Sequence, residues 1–498
     1  MSTTDVAIDV VVVLPGILGS TLNQDGHLVW APSAGSTLRA IDRFGTSVKR
    51  LQLPAGIGDD HPGDGVEPVG LMPDLHVLPG VWAPVKGFGT LLARLRSFGY
   101  REPSPGAAVG NLIPVAYDWR LSCRYNGRRL ARIIGPALER WRDQGGPYAD
   151  AQVVFVCHAM GGLVARWYME MCGGAEITRK LITLGTPYRG AARVLAQLIN
   201  GAPVGLGPFR THLTGFARSL PSLHQLMPEY ACIEKGDGLA KTTDIMLPEL
   251  DTAMVTDAMR FHAQLQDAEA RRRESLTSTH AIVGTDQHTA TTARLAGGLI
   301  ELIDTYRGED LYGDSTVPII AARRPDVAID SSMLYGVPDK HGDLQQNTAA
   351  LDKVEGILTG RSIIEAVKPV GLRVDVPEFA LSGEDVAVWV TPTEPSRRDI
   401  HFRVTSEVGE LVEQNVVRPT DGTITARVRG LAPGAYTVDV TGSSSYASVS
   451  SNILIWPGVE DWDRPLHAAA CVASSRAGAA VSSPLWPPLP DEICVSPG

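Results

Sequence analysis

The sequence lacks the signatures of several large protein classes. No apolar run reaches the roughly 18 residues that a membrane span needs. There is no GxxxxGK[ST] loop, no GxGxxG after a predicted strand, no HExxH motif and no EF-hand loop. The six cysteines are widely spaced and form no CxxC pair, which excludes a compact zinc motif. We therefore predict no metal and no cofactor, and cysteines that stay reduced.

Positive charge is also scarce. The 498 residues include 45 Lys plus Arg against 55 Asp plus Glu, a net charge of -10. Such a chain has little attraction for phosphate backbones or anionic bilayers, so we predict no nucleic-acid partner and at most transient membrane contact. The start, MSTTDVAIDV, carries aspartates instead of the basic region of a signal peptide. These features predict a cytoplasmic protein.

Short apolar runs alternate with helical patterns through the first two thirds of the chain. Four nearly continuous apolar runs predict strands buried on both faces: Val10–Leu14, Asn111–Ala116, Gln152–Val156 and Lys180–Leu184. A further strand is predicted over Thr279–Gly284. Apolar residues at helical spacing predict helices over Gly87–Phe98, Gly127–Gln144, Gly161–Met171 and Asn347–Leu358. This alternation predicts an α/β fold, with a mostly parallel sheet flanked by helices.

Changes in composition and in the spacing of apolar residues divide the chain into further segments. Residues 1–366 form the predicted α/β domain, with a Gly-, Pro- and Asp-rich insertion at about 21–85 and a lid at about 192–275. From 367 to 456, period-two apolar patterns between turn residues predict an immunoglobulin-like β-sandwich. The last segment, 457–498, contains PLWPPLP and is predicted to be extended or disordered.

The most informative segment is VVFVCHAMGGL, at 153–163. A buried strand runs into small residues and then a helix, which is the setting of a G-x-S-x-G nucleophile elbow. Cys157 replaces the first glycine and Ala159 occupies the nucleophile position. A methyl group has no lone pair with which to attack a carbonyl carbon. Cys157 lies on the strand side of the turn and is predicted to point away, so it is no substitute nucleophile.

Six motifs in order resemble the lecithin:cholesterol acyltransferase family of α/β-hydrolases over residues 8–360. They are LPGILGS (14–20), YDWR (117–120), CHAMGG (157–162), TLGTPYRG (183–190), GDSTVP (313–318) and KHGDLQQN (340–347). The resemblance implies an α/β-hydrolase fold and a lipase-type serine ester hydrolase or O-acyltransferase working through an acyl-enzyme. The implied partner is an ester or acyl-bearing small molecule or lipid.

The resemblance also assigns site residues. It gives the catalytic positions as Ala159 for the nucleophile, Asp314 for the acid and His341 for the general base, and the oxyanion hole as the backbone N–H groups of Ile17 and Met160. Substrate-pocket residues are predicted as Gly16, Leu18, Tyr117, Trp119 and His158. Asp310, four residues before Asp314, is an alternative acid. Tyr117 and Trp119 are also compatible with core packing, and His158 with packing of the turn.

Three interpretations of Ala159 stay open. In the first, the chain is an inactivated Ser-to-Ala variant, because Asp314 and His341 are retained although neither has a catalytic role without a nucleophile. In the second, it is a natural pseudoenzyme that serves as a ligand-binding or scaffold protein. In the third, it is a specialised transacylase or cyclase acting on a biosynthetic intermediate, with an enclosed pocket shaped by residues 192–275.

Overall fold

A computed structural model gives the three-dimensional arrangement. It describes residues 7–31, 50–73, 86–104, 109–201, 203–204, 211–272, 278–328, 331–360, 370–395, 399–418, 422–442 and 447–457. Elements are numbered along the chain. The predicted tail, 457–498, lies outside these ranges except for its first residue, and so do the predicted domain boundary at 366, Cys471 and Cys494.

Six strands form the central sheet. They are β1 (Val10–Leu14), β5 (Leu112–Pro114), β6 (Val153–His158), β7 (Thr178–Leu184), β12 (Ser278–Gly284) and β17 (Leu334–Val337). Their spatial order is β17-β12-β7-β6-β1-β5, and every neighbouring pair is parallel. The predicted parallel sheet is confirmed, and β17 is a strand that the sequence did not reveal.

Helices cover both faces of this sheet, which explains the continuous apolar strands. Alternate residues of β1 enter different cores: Val10 and Val12 pack on one face, Val11 and Val13 on the other. The first core receives α2 (Cys123–Arg142) and α3 (Gly161–Met171), and the second receives α1 (Gly89–Ser97) and α8 (Thr348–Thr359). Both cores exclude water from the sheet, as a parallel sheet requires.

One helix begins earlier than predicted. The predicted start was Gly127, but α2 begins at Cys123 because the Ser122 side chain accepts a hydrogen bond from the Tyr125 N–H at 3.0 Å. A serine at this position satisfies one of the free N–H groups of the first turn. The helix therefore starts three residues after Arg120, the last residue of the YDWR motif.

The two insertions carry their own structure. The first holds an antiparallel sheet of β2 (Ser20–Gln24), β3 (His27–Trp30) and β4 (Val66–Leu71). The second insertion, which is the predicted lid, holds β8 (Pro203–Val204), β9 (Thr211–His212), β10 (Ile233–Lys235), β11 (Gly238–Ala240), α4 (Ala192–Ile199), α5 (Thr214–Ser219), α6 (Pro221–His224) and α7 (Thr252–Arg271). Next come β13 (Thr292–Ala296) and β14 (Leu299–Ile303), which join β10 and β11 in one sheet, and then the β15 (Thr305–Tyr306) and β16 (Glu309–Asp310) pair.

The C-terminal strands form a β-sandwich, as predicted. One sheet contains β18 (Leu372–Asp375), β20 (Val386–Pro392) and β23 (Ile424–Val428). The other contains β19 (Phe379–Leu381), β21 (Ile400–Ser406), β22 (Leu411–Val417), β24 (Gly434–Gly442) and β25 (Val449–Trp456). Apolar side chains from both sheets share one core, so the two sheets pack face to face.

Candidate active site

The turn at position 159 has the strand-turn-helix geometry that the sequence predicts. Strand β6 ends at His158, helix α3 begins at Gly161, and Ala159 lies between them with φ of 49°. This left-handed conformation costs a non-glycine residue about 1–2 kcal/mol. The Ala159 N–H donates to the Leu184 carbonyl at 2.9 Å and its carbonyl accepts from the Thr186 hydroxyl at 2.8 Å. These bonds hold the backbone in the strained conformation.

Small residues make the tight turn possible. A Cβ atom on Gly161 would lie 2.4 Å from the Pro15 carbonyl oxygen, and one on Gly162 would lie 2.2 Å from Thr186 Oγ1. Side chains at these positions would push α3 away from β1 and β7. The backbone at position 159 is therefore defined by its neighbours and not by its own side chain.

Asp314 and His341 form a buried hydrogen-bonded pair. The distance from His341 Nδ1 to Asp314 Oδ2 is 2.7 Å, and Asp314 is completely buried. The carboxylate accepts, so Nδ1 donates and Nε2 of the neutral ring keeps its lone pair. Oδ1 of Asp314 accepts from the Thr316 and Val317 N–H groups at 3.0 and 2.6 Å. The carboxylate is thus held from both sides, as an orienting acid requires.

The structure brings Asp314, and not Asp310, to His341. Asp310 Oδ1 accepts from the Tyr312 N–H at 3.0 Å, and its Oδ2 lies 3.5 Å from His288 Nδ1. The backbone of the Asp314 loop also contacts the histidine directly, since the His341 N–H donates to the Asp314 carbonyl at 2.8 Å. Two hydrogen bonds therefore connect these residues.

His158 links the turn at 159 to the His341 loop. Its Nε2 donates to the His341 carbonyl at 2.9 Å, and the two imidazole rings lie 5.1 Å apart. Burial and the neighbouring His341 lower the pKa of His158 to about 3, against the opposing effect of that hydrogen bond. His158 is therefore neutral near pH 7, a donor that joins two loops.

The loop after β1 reaches the same place. A Cβ atom on Gly16 would lie 2.8 Å from the Ala159 Cβ atom. Ile17 follows in this loop, and Met160 precedes α3 as its N-cap residue. Among the described residues, neither the Ile17 nor the Met160 N–H donates to a protein acceptor. An oxyanion hole needs two N–H groups without a protein acceptor, and this role of Ile17 and Met160 stays a prediction.

Three predicted pocket residues make hydrogen bonds within or next to that loop. The Tyr117 hydroxyl donates to the Pro15 carbonyl at 2.7 Å, and Trp119 Nε1 donates to the Ser20 carbonyl at 3.2 Å. The Leu18 carbonyl accepts from Trp30 Nε1 at 3.1 Å. Tyr117, Trp119 and Leu18 are all buried. These contacts support the loop, and direct contact with substrate stays a prediction.

A polar cavity of about 200 Å³ opens beside the acid-histidine pair. On the α/β side it is lined by Asp314, Lys340 and His341, and on the β-sandwich side by Glu378 and Ser451 among others. The Ser451 hydroxyl is buried and has no hydrogen-bond partner in the described part of the chain. The β-sandwich thus forms one wall of a space that His341 faces.

The described residues contain neither a metal-binding cluster nor a membrane-spanning helix. No group of three or more His, Cys, Asp or Glu side chains in the described ranges is arranged to hold a metal ion. Over the same part of the chain, no helix combines the length and the apolar character needed to cross a membrane.

The chain is similar to known proteins over parts of its length. Residues 83–317 match the family model of lecithin:cholesterol acyltransferase. Among solved structures, the chain is similar to Bacillus licheniformis lipase BlEst2 in its propeptide form, with 11% identity, a TM-score of 0.37, and coverage of 91% of this chain and 94% of that one. The mature form gives 13% identity, a TM-score of 0.33, and coverage of 72% and 95%. No curated protein matches the chain.

Proposed function

We propose that this site performs acyl transfer from esters through a nucleophile at position 159. The match of residues 83–317 to the lecithin:cholesterol acyltransferase family model supports this reaction class. The proposal is carried by the 2.7 Å hydrogen bond between His341 and Asp314. His158 connects that pair to the left-handed turn at position 159, where a nucleophile would be held.

With serine at position 159, the chemistry follows from the groups in place. His341 Nε2 takes the hydroxyl proton while the serine oxygen attacks the ester carbonyl carbon. The former carbonyl oxygen becomes negatively charged and accepts hydrogen bonds from the Ile17 and Met160 N–H groups. The intermediate collapses to an acyl-serine, and His341 returns the proton to the leaving alcohol. Water or a second alcohol then attacks the acyl-serine by the same route. Water makes the protein an esterase or lipase, and an alcohol makes it an acyltransferase.

With Ala159 in place, the first step has no attacking oxygen. Loss of a triad nucleophile lowers kcat by about 10⁶ in a serine hydrolase. Cys157 is a poor replacement, because it is fully buried in the core and burial raises the pKa of its thiol well above the ordinary value. The chain as it stands should therefore bind an ester without consuming it.

Ala159 itself supports the second candidate, a natural ligand-binding pseudoenzyme. The two origins of the alanine predict different source genes. A serine codon at position 159 of the gene supports the inactivated variant, and an alanine codon supports the pseudoenzyme.

The catalytic proposal is tested by Ala159→Ser. The variant should hydrolyse short- and long-chain nitrophenyl esters and should be labelled by a fluorophosphonate, while the parent chain should do neither. The matched control is His341→Ala in the serine background, which keeps the hydroxyl but removes its base and should abolish labelling. A folded Ala159→Ser protein that neither reacts with the probe nor turns over an ester would overturn the proposal.

A further inference from the structure

Gln287 joins the β-sandwich to the α/β domain with its side-chain amide. Its Nε2 donates to the Leu372 carbonyl at 2.7 Å, and its Oε1 accepts from the Val374 N–H at 3.1 Å. Both partners belong to β18, so the amide pairs with this strand as a neighbouring peptide group would. Gln287 is 1% exposed. A buried amide that loses its hydrogen-bond partners lowers the stability of the folded protein.

The backbone of the same residue holds the loop that carries the acid. The Gln287 N–H donates to the Gly313 carbonyl, and the Gly313 N–H donates back, both at 3.1 Å. Gly313 directly precedes Asp314. The Thr289 hydroxyl extends the contact by donating to the Gln287 carbonyl at 2.9 Å and accepting from the Ser315 N–H at 2.9 Å. One residue therefore connects β18 to the position of Asp314.

Asp339 makes the corresponding connection to the histidine loop. Its Oδ1 accepts from the Ser450 N–H of β25 at 3.1 Å and from the Lys340 N–H at 2.8 Å. Its Oδ2 accepts from Asn347 Nδ2 at 2.8 Å. Asp339 is buried and lies two residues before His341. The second sheet of the sandwich is thus anchored at the loop that carries the base.

We infer that the β-sandwich is a positioning element of the acyl-transfer site, which holds the Asp314 and His341 loops through Gln287 and Asp339. This inference rests on the proposed function. The alignment of an acid, a base and a nucleophile is sensitive to small displacements, and about 1 Å of misplacement can cost about 100-fold in rate. An ion pair between Arg193 of α4 and Glu378, next to β19, adds a third connection at the wall of the cavity.

The first test uses the Ala159 protein, so it needs no activity. The proton on His341 Nδ1, hydrogen-bonded to Asp314, should give a far-downfield proton NMR signal that disappears in His341→Gln. Gln287→Ala and Asp339→Ala should broaden or remove this signal, because the ring and the carboxylate lose their fixed alignment. Arg418→Ala is the control: it breaks an exposed ion pair with Asp399 at the edge of the same sandwich and should leave the signal unchanged.

An unchanged signal in Gln287→Ala that retains a cooperative thermal transition would overturn the inference. If Gln287→Ala does not fold, Asp339→Ala decides by the same criterion. It removes the acceptor of the Ser450 N–H and leaves the contact of Gln287 with β18 in place.

The second test uses the serine background. Gln287→Ala combined with Ala159→Ser should lower kcat by about 100-fold with KM within about twofold of that of Ala159→Ser alone, since the aligned groups act on the transition state. Arg418→Ala should change neither constant. If Ala159→Ser has the same kcat with and without the additional Gln287→Ala substitution, the inference is contradicted. If Ala159→Ser is itself inert, the proposed function fails, and the NMR measurement still decides the role of the sandwich.

Discussion

Gly16 and Ala159 meet at the carboxyl edge of the parallel sheet, so closely that a Cβ atom on Gly16 would lie 2.8 Å from that of Ala159. The same added atom would lie 3.2 Å from His158 Nδ1. Contacts below 3 Å between carbon atoms do not occur in relaxed structures, so the loop after β1 depends on this glycine. Ligand sites of open α/β sheets lie at this edge.

Gly16→Ala is therefore expected to destabilise the protein by about 1–3 kcal/mol, the usual cost of an overpacked core. In the Ala159→Ser background it should also abolish fluorophosphonate labelling, because Ile17 moves with the loop. Urea unfolding measures the first effect. Gly238→Ala is the control, since Cβ at Gly238 would meet no atom within 4 Å, and a similar loss there would contradict the steric explanation.

The identity of the acid can be decided by a matched pair of variants. In the Ala159→Ser background, Asp314→Asn should lower kcat by about 10⁴, the scale seen when a triad aspartate becomes an amide and the histidine adopts the wrong tautomer. Asp310→Asn should have little effect, because Asp310 faces His288 instead of His341. Steady-state ester hydrolysis distinguishes the two. The reverse ranking would move the acid to position 310.

Arg120 is expected to contribute strongly to stability. It is fully buried, its Nη2 lies 2.7 Å from Asp118 Oδ2, and its Nη1 lies 2.7 Å from Asp64 Oδ2 in the first insertion. Arg120→Met leaves the buried Asp118 carboxylate without its partner and should cost about 3–5 kcal/mol in the free energy of unfolding. The exposed Arg96–Glu102 pair provides the comparison, since Arg96→Met should cost at most about 1 kcal/mol. Comparable losses in the two variants would argue against a structural role for the buried pair.

His262 should make the protein sensitive to acid. Burial lowers the pKa of His262 to about 4, against the opposing effect of nearby Glu229. A histidine in the unfolded chain has a pKa of about 6.5. Between these values the unfolded chain binds a proton that the folded chain does not. Stability therefore falls as the pH falls from about 6.5 to about 4, by up to about 1.4 kcal/mol per pH unit from this residue.

His262→Gln should make that pH dependence shallower. Glutamine retains a donor for the Gln225 carbonyl, which His262 Nε2 contacts at 2.8 Å, but it does not titrate. Urea unfolding across the acid range measures the slope, and the exposed His27→Gln variant controls for loss of a histidine. An unchanged slope in His262→Gln would show that another group dominates acid unfolding.

The sequence predicts the elements whose apolar residues are dense or recur with a clear period, and it misses strands that lack such a pattern. Val10–Leu14 and Gly161–Met171 have the predicted bounds because dense apolar patterning dictates their burial. Leu411–Val417 had no predicted counterpart, since most of its residues are exposed and its pattern does not alternate. The four-residue β17 is too short to display a period.

The residues of the candidate site were also predicted only in part. The order of motifs predicts that Asp314 and His341 work together, and the structure places them in contact. Gln287 and Asp339 were not predicted, because a single polar residue in a loop has no periodicity, and their sandwich partners lie 85 or more residues away in the chain. Tertiary packing alone brings them together.

The left-handed backbone at position 159 is enforced by glycines and by Thr186, none of which requires a hydroxyl on that residue. The backbone conformation at position 159 therefore does not depend on whether the side chain carries a hydroxyl group. Each alanine codon differs from a serine codon by a single base. Under the proposed function, one base change therefore converts the binding form of the protein into the catalytic form, and the free energy of unfolding should be nearly the same for both.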